Sequence, residues 1–155
     1  MTTVQALSIE REIRIEARPE TVFPFLVDAD KMTRWMGTVA TLDARPGGLV
    51  SILVAGQHQA TGEYLEIDPP HRVLFTFGWE DPGAAIPPGG TLIEIVLAPD
   101  GDATVLRFKH SNVPENTVAD HTVGWTHYLG RLQTVASGGN AGPDPWAAGN
   151  TATQE

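Results

Sequence analysis

The stretch "HSNVPENTVADHTVGWTHYLGRL", residues 110–132, decides how the chain folds. It opens at the end of an alternating strand, passes Pro114, and continues as a long helical pattern from about Glu115 to Ser137. At 100° per residue, Val118, His121, Trp125, Leu129, Leu132 and Ala136 fall within a sector of roughly 80°. One face of this helix is therefore built to lie on a core.

The same stretch holds three of the five histidines, His110, His121 and His127. His121 and His127 are six positions apart, roughly 240° around a helix, so they cannot share a face. Helical zinc pairs need i, i+3 or i, i+4 spacing. His127 lies roughly 160° from the centre of the apolar sector and is expected in solvent. His121 lies inside the sector. It is either a core histidine bonded to a backbone carbonyl or hydroxyl, or a polar group pointing into a ligand cavity. His110 shares a strand face with Leu106 and Phe108, while Arg107 and Lys109 take the other, so it is expected on the inner side near His121. Two histidines without a carboxylate or third ligand beside them make no metal site, and none is expected.

Working outward, "LSIEREIRIEA" alternates through Ile9, Ile13 and Ile15 as a half-buried strand. "PETVFPFLVDADKMTRWMG" follows, with Pro19 and Glu20 suited to a first helical turn. Val22, Phe23, Leu26 and Val27 form its apolar stripe, with Pro24 tolerated early. Asp28 or Asp30 is placed to cap a second short helix carrying Met32, Trp35 and Met36, which Gly37 ends. Residues 38–110 read as strands and turns, with "RPGG" at 45–48 and the Asp-Gly turn of "PDGD" between strands. The order of elements indicates an α+β fold with an antiparallel sheet of about six or seven strands. A sheet curled around one long helix leaves an inner space where a small molecule fits.

The 155 residues make one domain by length, with 41% hydrophobic and 19% charged residues. There is no cysteine, which removes disulfides, thiolate metal sites and cysteine nucleophiles. The net charge of −9 repels nucleic acid and anionic membrane surfaces, so neither is expected as a partner. No signal-peptide pattern and no bilayer-length apolar run occur, and the expectation is a cytoplasmic protein. From about residue 138, "GGNAGPDPWAAGNTATQE" is poor in large apolar side chains, so 1–137 is read as the domain and 138–155 as a flexible tail, with Trp146 its one candidate for docking.

No carboxylate pair stands out. Glu63 and Glu66 fall on opposite strand faces. Glu94, among Leu92, Ile93, Ile95 and Val96, is either an edge charge or an inward acid able to act as a base. No strained serine elbow and no GxxxxGK[ST] phosphate loop is present, and no cofactor is expected.

The order of motifs resembles the family named for the activator of heat-shock-protein-90 ATPase, within the START-like, or SRPBCC, helix-grip superfamily. The matching pieces are "RPETVFPFLVDADKMTRWMG" (18–37), "RPGG" (45–48), "TGEYLEIDPPHRVLFTFGW" (61–79), "LAPDGDATVLRFKHSNVP" (97–114) and "HTVGWTHYLGRL" (121–132). The resemblance implies a curved sheet gripping the C-terminal helix, with a cavity between them. It also implies that Gly124, mid-helix beside Trp125, lets the helix lie close to a neighbour despite costing about 1 kcal/mol relative to Ala. Superfamily relatives include carriers of hydrophobic ligands, polyketide cyclases, hormone receptors and the co-chaperone domain itself. No segment resembles the co-chaperone's separate N-terminal domain, so a chaperone partner ranks last.

The leading expectation is a protein that binds a small hydrophobic molecule in an internal cavity. Expected walls are Phe75, Phe77, Ile93, Ile95, Phe108, Trp125 and Leu129, with Trp35 and Met36 gating one end. His110, His121 and Tyr64 are candidate anchors. The alternatives are a cyclase- or hydrolase-like enzyme using His121 or Glu94 as base, and a chaperone-interaction module. Assembly is left open between monomer and homodimer.

Overall fold

The computed structural model describes residues 6–55 and 58–148. Strand alternation is carried through as the sequence pattern requires. In β5, Arg72–Trp79, the side chains of Val73, Phe75 and Phe77 are buried; in β6, Thr91–Asp100, those of Thr91, Ile93, Ile95 and Leu97 are. In β7, Ala103–Pro114, Leu106, Phe108 and His110 point the same way. β1 is Ala6–Ile15, β2 Val39–Leu42, β3 Leu49–Val54 and β4 His58–Asp68. The seven strands make one sheet in the order β1-β7-β6-β5-β4-β3-β2, every neighbouring pair antiparallel.

The outer face is polar by the same alternation. Glu94 stands between Lys109 and Leu74, and Lys109 between Glu94 and Glu10. The Arg107 guanidinium reaches Glu12 at 3.1 Å.

After β1 come three four-residue helical turns, α1 (Pro19–Val22), α2 (Pro24–Val27) and α3 (Ala29–Met32). Residues 19–27 are two turns because Pro24 offers no N–H to continue the ladder. Asp28, rather than Asp30, caps α3 by accepting from the Lys31 N–H at 3.1 Å. Gly37 then turns the chain at φ +81°, where a Cβ would stand 2.5 Å from Ile52 Cγ2. A short 3-10 turn, Glu115–Thr117, leads into α4, Val118–Ala136, which lies across the inner face. α4 is tied to the first strand by Gln133 Nε2 donating to the Arg14 carbonyl at 2.7 Å. No helix among the described residues is long and apolar enough to cross a membrane.

Candidate functional site between sheet and helix

Strand register sets one row of side chains across the inner face. Tyr64 pairs with Phe75, Phe75 with Ile93, Ile93 with His110, and His110 with Ile9. All five are buried, and His110 is wholly so. Trp125 comes down from α4 onto this layer, its ring 4.5 Å from that of Phe108 and 5.7 Å from that of Phe77. Leu129 and Leu132 continue the contact toward the C-terminal end of the helix, both buried.

A polar thread runs through this apolar layer. Trp125 Nε1–H donates to His110 Nδ1 at 3.0 Å. The other ring nitrogen, Nε2, must then carry the proton, and it faces Thr91 Oγ1 at 2.7 Å. The Thr91 hydroxyl donates in turn to the Phe77 carbonyl at 2.6 Å. His121 repeats the scheme. Its Nε2 accepts from Trp79 Nε1–H at 3.2 Å, and its Nδ1–H donates to the Thr117 carbonyl at 2.9 Å. The two imidazoles are 5.5 Å apart. Burial, with His121 adding to it, lowers the His110 pKa from 6.5 to about 3, so the ring is neutral. A neutral imidazole has one donor and one acceptor, and both are used in each ring.

The residues expected at the site are brought together, with the exception of Glu94. Phe75, Phe77, Ile93, Ile95, Phe108, Trp125 and Leu129 are buried in one cluster with Trp35, Met36 and Tyr64. The Tyr64 hydroxyl donates to the Leu26 carbonyl at 3.0 Å, and burial pushes its pKa up. Glu94 is on the outer face and pairs with Arg72 Nη2 at 2.7 Å, because Ile93 and Ile95 take the inward positions. It is neither an edge charge nor an inward acid, but an outward charge on an interior strand. His121 meets a backbone carbonyl, as one reading required, and also the indole of Trp79, which that reading did not include.

Among the described residues, the space expected to be a cavity shows a void of about 10 Å³, bordered by Met32, Trp35 and Met36 on one side and Phe75, Phe77, Ile95 and Trp125 on the other. That is about the room required by the centre of one water molecule. Among the described residues no three His, Asp or Glu side chains gather as a metal site would need.

Two further expectations change. A Cβ on Gly124 would meet nothing within 4 Å, so this glycine serves no close approach of the helix. His127 is not in open solvent. Its ring stacks on Trp146 at 3.9 Å and 17°, and its Nε2 lies 2.8 Å from Asp144 Oδ1. Asp144 Oδ2 accepts from the Tyr128 hydroxyl at 3.0 Å. Residues 138–146 thus form a strap along the outer side of α4, while 149–155 of the expected tail lie outside the described residues. Sequence reasoning passed over Trp79, Thr91, Tyr128 and Asp144; Trp79 and Thr91 share the inner strand faces of Phe77 and Ile93 by period two, and Tyr128 lies about 20° outside the helix's apolar sector, whereas Asp144 carried no periodic signal.

Comparison with known proteins agrees with this architecture. The family described as Activator of Hsp90 ATPase homolog 1-like protein matches residues 16–137. An AHSA1-like protein from Rhizobium etli is 41% identical, with a TM-score of 0.74 over 94% of this chain and 92% of that one. CalU16 from Micromonospora echinospora is 27% identical, with a TM-score of 0.71 over 86% of this chain and 78% of that one. The Aha1 dimer from Colwellia psychrerythraea, 22% identical, shares the fold with a TM-score of 0.74 over 86% of this chain and 98% of that one. No curated protein matches the chain.

Proposed function

The chain belongs to the family of activator of Hsp90 ATPase homologue 1-like proteins, and on that premise we propose that it binds a small hydrophobic molecule between its sheet and its long helix. The observation that carries this reading is the composition of the wall at the void. Met32, Trp35 and Met36 all come from the connection between β1 and β2. Trp35 Nε1–H donates to the Phe25 carbonyl at 2.9 Å, within that same connection. The connection can therefore move outward without stranding a buried indole N–H, and methionine side chains repack readily around a guest. The void is the seed of a larger cavity that a ligand opens. Tyr64 supplies the anchor, its hydroxyl passing from Leu26 to an acceptor on the guest.

Binding is favoured over catalysis by the histidine pairs. For His110 or His121 to take a proton from a substrate, an indole N–H must first leave the acceptor nitrogen. His121 remains the candidate of an enzymatic alternative, being half-buried at the helix start.

Native mass spectrometry of the purified chain, with thermal melting in the neutral apolar dye Nile red, tests the proposal. A retained small molecule, or saturable dye emission with a raised Tm, supports it. No retained molecule and no stabilisation by neutral apolar probes overturns it. Turnover that His121→Ala abolishes while binding survives would favour the enzyme. Capture of a chaperone in a pulldown would favour the interaction module. We further propose a cytoplasmic setting, a folding unit over 1–137 with 138–155 as an appendage, and self-association as a homodimer, which cell fractionation, limited proteolysis and sedimentation respectively check.

A further inference from the structure

We propose that the groove between the C-terminal strap and the bend Thr33–Thr38 is a second binding site, for a small organic anion carrying a phosphate or carboxylate. The groove measures about 870 Å³ and shares no lining residue with the void of the dye site proposed above. Its walls come from three segments: Arg34 and Thr38 on the bend, Arg131 and Val135 on α4, and Asn140 and Asp144 on the strap.

The charges argue for an anion. Five of the eight arginines form carboxylate pairs, as a chain of net charge −9 readily allows. Among the described residues neither Arg34 nor Arg131 has such a pair. Arg131 is fixed by carbonyl oxygens alone: Trp35 at 3.2 Å, Arg34 at 3.3 Å, Ala141 at 3.3 Å and Gly142 at 2.8 Å. Its positive charge is held in place with no carboxylate in direct contact among the described residues. Asp144 also borders the groove, yet both its oxygens are spent on His127, Tyr128 and the Trp146 N–H. The negative end of α4 is closed as well. Ser137, Gly138 and Gly139 N–H groups donate to the Gln133, Val135 and Thr134 carbonyls at 3.2, 3.1 and 2.9 Å. A phosphate or carboxylate here takes its charge-assisted hydrogen bonds from Arg34, while Arg131, with four of its five N–H donors spent on carbonyls, adds one further N–H and a fixed positive charge.

The strap completes the site. Arg131 bonds two of its carbonyls, and Trp146 holds it on His127. Anion binding and strap docking are thus coupled, each favouring the other.

The test titrates phenyl phosphate and benzoate in parallel into the full chain, at ionic strength fixed with sodium chloride, by amide NMR. Saturable shifts confined to residues 33–38 and 139–144 are expected with at least one of them, and the one that saturates names the headgroup. Arg34→Ala, at an exposed position, should keep the melting curve and weaken binding at least tenfold. Trp146→Ala should weaken it as well by releasing the strap. The proposal is overturned if neither anion gives saturable shifts there, or if Arg34→Ala binds as tightly as the parent. Nile red binding is independent of both variants, so failure here leaves the interior site standing.

Discussion

The indole N–H of Trp125 sits 3.0 Å from Nδ1 of His110, joining the middle of α4 to the inner face of β7. The bond fixes one tautomer of a fully buried imidazole and leaves it no nitrogen for a proton. An acid titration reads this directly. The folded pKa is lowered to about 3 while the unfolded chain keeps an ordinary value near 6.5. Between those limits the unfolded state binds a proton that the folded state refuses, so stability rises with pH across that window and is lost on acidification. The slope from this group approaches about 1.4 kcal/mol per pH unit. His110→Gln retains an acceptor for the indole and a donor for Thr91. Urea unfolding from pH 7 to 4 should show a shallower pH dependence in that variant; parallel curves for the two proteins would contradict the buried neutral imidazole.

Gly124 and Gly130 both sit inside α4 with open space where a Cβ would stand. Alanine at either position should stabilise the protein by up to about 1 kcal/mol, through helix propensity alone. Destabilisation by Gly124→Ala in urea titrations would mean that a neighbour does approach the helix there.

Trp146 is 8% exposed and stacks on His127. Trp146→Ala should cost about 2 kcal/mol from lost apolar burial and leave the circular dichroism of the sheet unchanged. Faster proteolysis near residues 138–146, with the core intact, is the accompanying signature. Unaltered stability and cleavage would show that the strap is not held by this side chain.

Glu94→Gln should cost no more than about 1 kcal/mol, since its partner Arg72 also bonds Glu66 and both Glu94 and Arg72 are about a third exposed. Nile red binding should be unchanged. A large loss of binding would place Glu94's influence on the inner face, against the observed register.

The inner face was legible in the sequence because strands and the long helix obey simple periods. Phe75 and Phe77, Ile93 and Ile95, Phe108 and His110, and the helix stripe through Trp125 all follow from counting by two or by 3.6. The strap was not legible. Gly, Pro and Asn give it no period, and its contacts use a helix face that the apolar count assigns to water. The size of the void was hidden for a different reason. Periodicity shows which side chains turn inward but not how much room their volumes leave, and Phe77, Phe108 and Trp125 crowd the middle of the inner face. Gly124 shows the limit of a motif: its place beside Trp125 suggested close packing, yet among the described residues open space surrounds the position of its Cβ.

The sheet order places β1 beside β7, with Ile9 opposite His110. Of the seven strands of this sheet, β1 is made first and must wait for the last to find its partner. It must wait until the segment Ala103–Pro114 has emerged, and α4 follows only after that. Such a topology links the two ends of the chain across nearly the whole sequence, which slows folding relative to local pairing. The meander from β2 to β7 can assemble in order as synthesis proceeds, whereas β1 and its apolar Ile9 and Ile15 stay unpartnered until β7 has emerged.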